Sequence, residues 1–254
     1  MKLFEQINIL AEFCGMRDVS ALTQSELNNT FGFKRADVMV LFGGSILAGG
    51  DILAEAIKNQ IAKTYLIVGG AGHTTETLRI KMNEIYPGIN TKNLSEAEIF
   101  NKYINLRYNL SADYLESEST NCGNNITLML KLLDENKISY KNIILAQDAT
   151  MQRRMYAGLT KYRPEILAIN YATYQAKIVD KDSELVYDTN ILGMWNVERY
   201  VNLLLGEIPR LTDDVNGYGP NGKNFIAHVD IPLKVQEAFE FVSKFYKVRQ
   251  AIKV

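Results

Sequence analysis

The chain has 254 residues, 47% hydrophobic and 22% charged, with 28 basic and 29 acidic side chains for a formal charge of -1. That balance excludes a disordered chain, supplies no charge excess for nucleic acid, and leaves room for one large domain or a core with a small companion. Cys14 and Cys122 are too few and too far apart for a disulfide framework, so a reducing compartment is expected.

The opening stretch places Leu3, Ile7, Leu10, Ala11 and Cys14 at helical spacing over 3–14. It fits neither a signal peptide nor a membrane span, and later apolar runs are strand-sized. A cytoplasmic protein with no membrane contact is the expectation. A second helix, capped by Ser20 or Thr23, should reach Leu27 and break at Asn28-Asn29-Thr30. From Asp37 the pattern alternates. The run DVMVLFGGSILAGG at 37–50 reads as a buried parallel strand that ends in glycine, with Gly49-Gly50 preceding a helix. That helix, near 47–60, should bury Leu53, Ala54, Ala56 and Ile57. A strand at 64–68 leads through Gly69-Gly70-Ala71-Gly72-His73 to a helix near 74–84, and Ser95 with Glu98 reads as a capping box opening a helix near 95–107. A short strand within 113–118, a helix from Thr120 or Asn121 to Asn136, a strand at 142–147, a helix near 150–161 and a strand at 166–171 complete the series. Beyond Asp182 the period becomes helical over 190–205, with Gly206 and Pro209 expected to terminate that helix. The stretch 210–231 is glycine-rich and turn-like, and Pro232 should open a last helix reaching Val248.

Strand-helix alternation of this kind predicts an α/β fold: a Rossmann-like three-layer αβα parallel sheet of about five strands. The core is expected over 34–182, with 1–33 and 183–254 forming a small helical subdomain from both ends of the chain. Chemistry then belongs at the carboxyl edge of the sheet. Gly43-Gly44-Ser45 and Gly69-Gly70-Ala71-Gly72 would offer N–H groups to an anion there. Neither is a Walker motif or a dinucleotide fingerprint, and no acidic residue ends the second strand. His73 follows the second loop, and with only one other histidine, His228 in an alternating apolar run, no histidine-based metal cluster is available. Ser45 and Ser119 lack a nucleophile elbow. Cys122 sits near a helix start, where a thiolate would be stabilised, but a buried packing cysteine is the favoured reading. The segment 116–125 gathers Glu116, Glu118, Thr120, Asn121 and Asn125, with one asparagine expected to cap a helix and the other to face the crevice. In 147–154, Asp148 is placed for a hydroxyl, ribose or cation, Thr150 for a cap, and one of Arg153 and Arg154 for a carboxylate or phosphate. Of Glu96 and Glu98, Glu98 is the better site candidate by position.

These stretches together resemble the DUF218 family, in particular its cytoplasmic YdcF-like branch. The resemblance is carried by the first strand ending at Gly43, GGAGHTT at 69–75, Glu96 with Glu98, ESTNCGNN at 118–125 and QDATMQRR at 147–154. It continues in GMWNVERY at 193–200 and GEIPRLTDDVNGYGPNGKNFIAHVD at 206–230. It implies a Rossmann-like core with a helical part drawn from both ends, and binding of S-adenosylmethionine without a defined methyl acceptor. Shared polar positions fall on Gly43, Gly70, His73, Glu98, Glu118, Asn121, Asn125, Asp148 and Arg154. The expectation is a small-molecule protein that binds a nucleotide-like or anionic ligand, S-adenosylmethionine being the specific candidate cofactor. Gly43, Gly44, Ser45, Gly69, Gly70, Gly72, His73, Glu98, Glu118, Asn121, Asn125, Asp148 and Arg154 are its candidate contacts. No metal, nucleic-acid or membrane partner is expected, and a homo-oligomer is allowed. The alternatives are an enzyme acting on a phosphorylated or sugar-like metabolite, with His73, Glu98 or Glu118 as acid–base groups, and a non-catalytic interaction protein.

Overall fold

Strand β1 (Ala36–Phe42) is buried along its whole length, Asp37 included. A strand with no wet face must be covered on both sides, which a parallel sheet between helices provides. In the computed structural model, which describes residues 1–72 and 74–248, β1 is the middle strand of such a sheet. It joins β2 (Ala62–Val68), β3 (Tyr114–Glu116), β4 (Asn142–Ala146) and β5 (Leu167–Asn170) in the order β3-β2-β1-β4-β5, all parallel. Val40 stands opposite Leu66 on one side and Leu145 on the other, which fixes the register. This is a three-layer, Rossmann-like α/β fold.

One face is covered by α3 (Ala48–Lys58), α4 (Thr75–Ile85) and α5 (Glu96–Tyr108), whose apolar sides meet Met39, Leu41 and Ile67. The other is covered by α6 (Cys122–Glu135) and α7 (Gln152–Tyr162), which meet Val38, Val40 and Leu66. The glycine pair Gly49-Gly50 lies inside the first turn of α3 and serves packing. A Cβ at Gly50 would stand 2.5 Å from Cδ1 of Tyr103 on α5.

A second core joins the chain ends. It gathers α1 (Leu3–Cys14), α8 (Val197–Leu211) and α9 (Leu233–Val242) with Ala172, Tyr174 and Ile178. It also contains an antiparallel hairpin, β6 (Ile178–Lys181) and β7 (Glu184–Tyr187), which the helical reading beyond Asp182 does not anticipate. The position 182 expected to divide core from subdomain lies in the turn of that hairpin, where Asp182 and Ser183 both have positive φ, 54° and 69°.

Other element ends shift for identifiable reasons. The helix α2 (Gln24–Phe31), capped by Thr23, continues through Asn28-Asn29-Thr30 and stops at Gly32, whose φ of 80° ends it in the left-handed region. In α8, Asn196 caps the start, so 190–195 is not helical. Neither Gly206 nor Pro209 terminates α8, which runs on to Leu211. Proline in a helix costs about 3 kcal/mol. Burial of Ile208 and Leu211, roughly 1.5–3 kcal/mol each, offsets that cost. The last helix, α9, ends at Val242, short of 248.

Candidate ligand site at the carboxyl edge of the sheet

The strand order reverses between β1 and β4, and open α/β sheets bind ligands outside the carboxyl ends of the strands flanking such a point. The loops that follow these strand ends are 43–47 after β1, 69–72 after β2, 117–121 after β3 and 147–151 after β4. The β2 loop is tied to the end of β3, to the loop that follows it and to the start of α4. Gly69 N donates to Glu116 O at 2.9 Å, Gly70 N to Ser119 O at 2.9 Å, and Gly72 N to Thr75 Oγ1 at 2.7 Å. Its glycines satisfy close approach more than ligand binding. His73 lies outside the described residues.

The β1 loop is different. Gly43 N donates to Val68 O at 2.7 Å, but the N–H groups of Gly44, Ser45 and Ile46 meet no acceptor among the described residues. A Cβ built on Gly44 has only Gln147 Oε1 near it, 3.9 Å away, so the loop is open on that side. Side chains around it are buried and incompletely paired. Ser45 Oγ and Gln147 Nε2 have no hydrogen-bond partner, and both residues are 99% buried; Glu116 Oε2, at the end of the edge strand β3, is also buried without a partner. Buried polar atoms are nearly always satisfied, so a cluster of orphans at a strand-reversal point marks the place where another molecule would complete the bonding.

Asp148 closes the β4 side. Its Oδ1 accepts from Thr150 N at 2.9 Å, Thr150 Oγ1 at 2.7 Å and Tyr174 OH at 2.7 Å, while Oδ2 has no partner among the described residues. Burial pushes this carboxyl above the ordinary aspartate range, opposed by the Tyr174 and Thr150 bonds. Thr150 is therefore an Asp148 partner and not a cap for α7. Across the crevice, Glu96 packs between the glycine loops. A Cβ at Gly43 would lie 2.5 Å from its Oε2, and Gly43 and Gly69 are small because this carboxyl fills the space. Its Oε1 accepts from Thr74 Oγ1 at 2.8 Å and Thr75 Oγ1 at 3.0 Å. Burial raises its pKa, and the threonine bonds pull the other way.

Several expected contacts are engaged elsewhere. Glu98 is held in the capping box of α5, its Oε2 accepting from Ser95 N at 2.7 Å, so Glu96 and not Glu98 faces the loops. The Glu118 side chain is exposed; it is Glu116, at the end of β3, that turns inward and accepts from Glu118 N and Ser119 N. Asn121 caps α6 through Gly123 N and Asn124 N, while Asn125 is buried with no side-chain hydrogen bond among the described residues. Arg154 already clamps a carboxylate, Nε to Glu207 Oε2 at 2.7 Å and Nη2 to Glu207 Oε1 at 3.0 Å. Arg153 lies over the Phe13 ring, 4.0 Å from its centroid, and donates to Phe13 O. Burial raises the Cys122 pKa, with Arg154 opposing, and the thiol points to Met151 Sδ at 3.8 Å; it packs as a thiol. His228 faces Asp213 and Asp230 and belongs to the 212–231 loop.

Residues that sequence reasoning passes over as contacts are Gln147 and Tyr174, together with the segment 187–195; Glu116 stands in the polar cluster it singles out, with Glu118 as the expected contact. Gln147 stands beside Asp148 in a stretch already singled out, and only its burial distinguishes it. The segment 187–195 lies against the β1 loop, with Ala48 N donating to Leu192 O and a Cβ on Gly193 falling 3.1 Å from Leu47 N. Between this segment and α4 is a cavity of 340 Å³ lined by Leu47, Tyr187, Met194 and Trp195, with Lys81 and Glu84 from α4. The Trp195 Nε1 atom is buried there without a partner.

No family model matches the chain. Among the described residues no group of three or more His, Cys, Asp or Glu side chains is placed to hold a metal ion, and no helix is long and apolar enough to cross a membrane.

Proposed function

We propose that this protein binds a nucleotide-like or anionic small molecule at the carboxyl edge of the sheet, with S-adenosylmethionine the specific candidate. The observation that carries this reading is the set of unpartnered buried groups at the β1–β4 reversal, Ser45 Oγ and Gln147 Nε2 beside the free N–H groups of Gly44, Ser45 and Ile46. The N–H groups would receive a carboxylate, and Asp148 Oδ2 a hydroxyl or ammonium. The neighbouring cavity against Trp195 has the size and aromatic lining for a flat heterocycle. The specific candidate ligand, a cytoplasmic location and membership of the DUF218 family rest on the resemblance of the sequence stretches quoted above.

Calorimetry with S-adenosylmethionine and S-adenosylhomocysteine tests the reading. Saturable heat that Ser45→Ala weakens is the expected outcome, and absence of saturable heat with either compound removes the ligand. A second reading, acid–base chemistry on a bound metabolite, is favoured by Glu96. Its carboxyl, raised in pKa by burial, abuts Gly43 at the end of β1, where an acid–base group would meet a ligand seated on that loop. Turnover abolished by Glu96→Gln but retained in Glu98→Gln would support it.

A further inference from the structure

The same crevice presents a polar atom that is unpartnered yet open to solvent, and its hydrogen-bonding sense can reverse. We infer that Asp148 is the proton-sensitive contact of the site: its Oδ2 accepts from a ligand ammonium or hydroxyl when ionised and becomes a donor when protonated, and Tyr174 is the residue that positions it. This inference rests on the ligand site proposed at the β1–β4 reversal and names the group on which uptake there depends. Three donors converge on Asp148 Oδ1 and none reaches Oδ2. Ser45 Oγ and Gln147 Nε2 are sealed from solvent without a partner, whereas Asp148 Oδ2, equally unpartnered, keeps contact with solvent. That distribution decides where a proton goes. Thr150 N can only donate, so its bond to Oδ1 persists in either charge state. A proton on Oδ1 would oblige the Thr150 or Tyr174 hydroxyl to give up its bond, and neither has a second acceptor among the described residues. The neutral carboxyl therefore carries its proton on Oδ2, on the solvent side.

Tyr174 owes its place to the second core. It is buried with its ring 6.5 Å from that of Tyr200 on α8, and its neighbour Thr173 donates from N to Gln147 O at 2.9 Å. The groups that act on Asp148 come from three elements: Tyr174 after β5, Thr150 in its own loop, and Glu207 on α8, which is itself paired with Arg154. Tyr187 at the end of β7 and Tyr200 feel the Asp148 charge in turn. Burial first, and Glu207 to a lesser degree, favour the neutral carboxyl, while the Tyr174 and Thr150 bonds favour the carboxylate. Loss of the tyrosine hydroxyl should thus raise the Asp148 pKa further. A carboxylate holds a donor through a charge-assisted bond, about twice as strong as a neutral one, so a ligand donor at Oδ2 favours ionised Asp148.

The test combines carboxyl-carbon NMR of the full chain with calorimetry of adenosine and S-adenosylhomocysteine over a pH series. The Asp148 resonance, assigned by its loss in Asp148→Asn, should titrate above the ordinary aspartate value, and higher still in Tyr174→Phe and in Thr150→Val. Affinity for both compounds, taken relative to Asp148→Asn at each pH, should fall as pH drops below the Asp148 pKa. The fall should approach about tenfold per pH unit, as coupling to one proton requires. In Tyr174→Phe it should begin at higher pH, displaced by the same amount as the NMR titration, whereas loss of a merely structural residue would weaken binding equally at every pH. Circular dichroism and thermal transitions show which variants keep the fold, and Thr150→Val takes the place of Tyr174→Phe should that variant fail. A carboxyl still ionised at the acid limit of the fold, or one that does not titrate higher in the folded variants, overturns the inference and leaves the site in place. Affinity that does not follow the Asp148 titration overturns it too. No saturable binding by either compound removes the proposed site, and the inference with it, even where Asp148 titrates as expected.

Discussion

A methyl group added at Gly70 would stand 2.2 Å from Ser119 O and 2.7 Å from Ser117 O, both backbone atoms with no freedom to move aside. At Gly72, in the same loop, the nearest atom would be 3.6 Å away, an ordinary contact. Gly70→Ala should therefore destabilise the protein by about 1–3 kcal/mol, as overpacking does, whereas Gly72→Ala should stay within about 0.5 kcal/mol of the parent in urea unfolding. The two glycines are indistinguishable as letters in GGAGHTT. What separates them is how closely the β3–α6 loop approaches, pressing Ser117 O and Ser119 O onto Gly70 while Thr120 O stays at ordinary contact distance from Gly72. The same holds for Glu96 and Glu98. The spacing of Ser95 and Glu98 correctly announces a capping box, yet capping holds Glu98 away from the glycine loops, and Glu96 in the same first turn takes the inward position.

At the scale of elements, the long 212–231 loop is organised by Asp213. Its Oδ1 accepts from Asn221 N at 2.6 Å and its Oδ2 meets His228 Nδ1 at 2.7 Å, while His228 Nε2 meets Asp230 Oδ1 at 3.1 Å. The hydrogen bonds to Asp213 and Asp230 raise the His228 pKa. The bonds from Asn221 and His228 lower that of Asp213. The histidine contribution is complete below its unfolded pKa, about 6.5, and is lost as pH rises through the raised folded value. The aspartate contribution is complete above about 3.9 and is lost as pH falls through the lowered folded value. Amide protection factors in 213–228 should thus be highest between those limits. The His228 ring should titrate above 6.5 by NMR and return toward it in Asp213→Asn. Helix starts were legible for the same local reasons that operate here. Thr23, Ser95 and Asn121 bond N–H groups within three residues, so their signals are short-range. The end of α8 was not legible, because burial of Ile208 and Leu211 in the second core outweighs the breaking tendency of Gly206 and Pro209. The β6–β7 hairpin was missed for want of a glycine: its turn places Asp182 and Ser183 at positive φ, which local sequence disfavours and the packing of Ile178 against Asn8 and α1 sustains.

At the scale of the molecule, the Arg154–Glu207 pair ties α7 of the sheet layers to α8 of the terminal core. Removing one partner of a buried pair leaves a charge uncompensated, so Arg154→Met should cost about 3–5 kcal/mol in chemical denaturation. The double variant Arg154→Met with Glu207→Leu should recover most of that loss, since apolar replacement of both partners is close to neutral. A ligand-clamping arginine would behave otherwise, losing binding with little change in stability. The strand-helix alternation, the apolar runs ending in glycine and the capping residues lie within short windows, and from them the sequence alone determined the parallel three-layer sheet and the edge at which its loops meet. Which polar groups at that edge are left unsatisfied was decided only by the tertiary structure. Glu207 reaches Arg154 across 53 residues and Tyr174 reaches Asp148 across 26, so the availability of each group depends on partners that no local window contains. The glycines of DVMVLFGG mark the end of β1, but only the folded chain shows that Ser45 Oγ, Gln147 Nε2 and Glu116 Oε2 are left without a partner and that the bonds to Asp148 all fall on Oδ1.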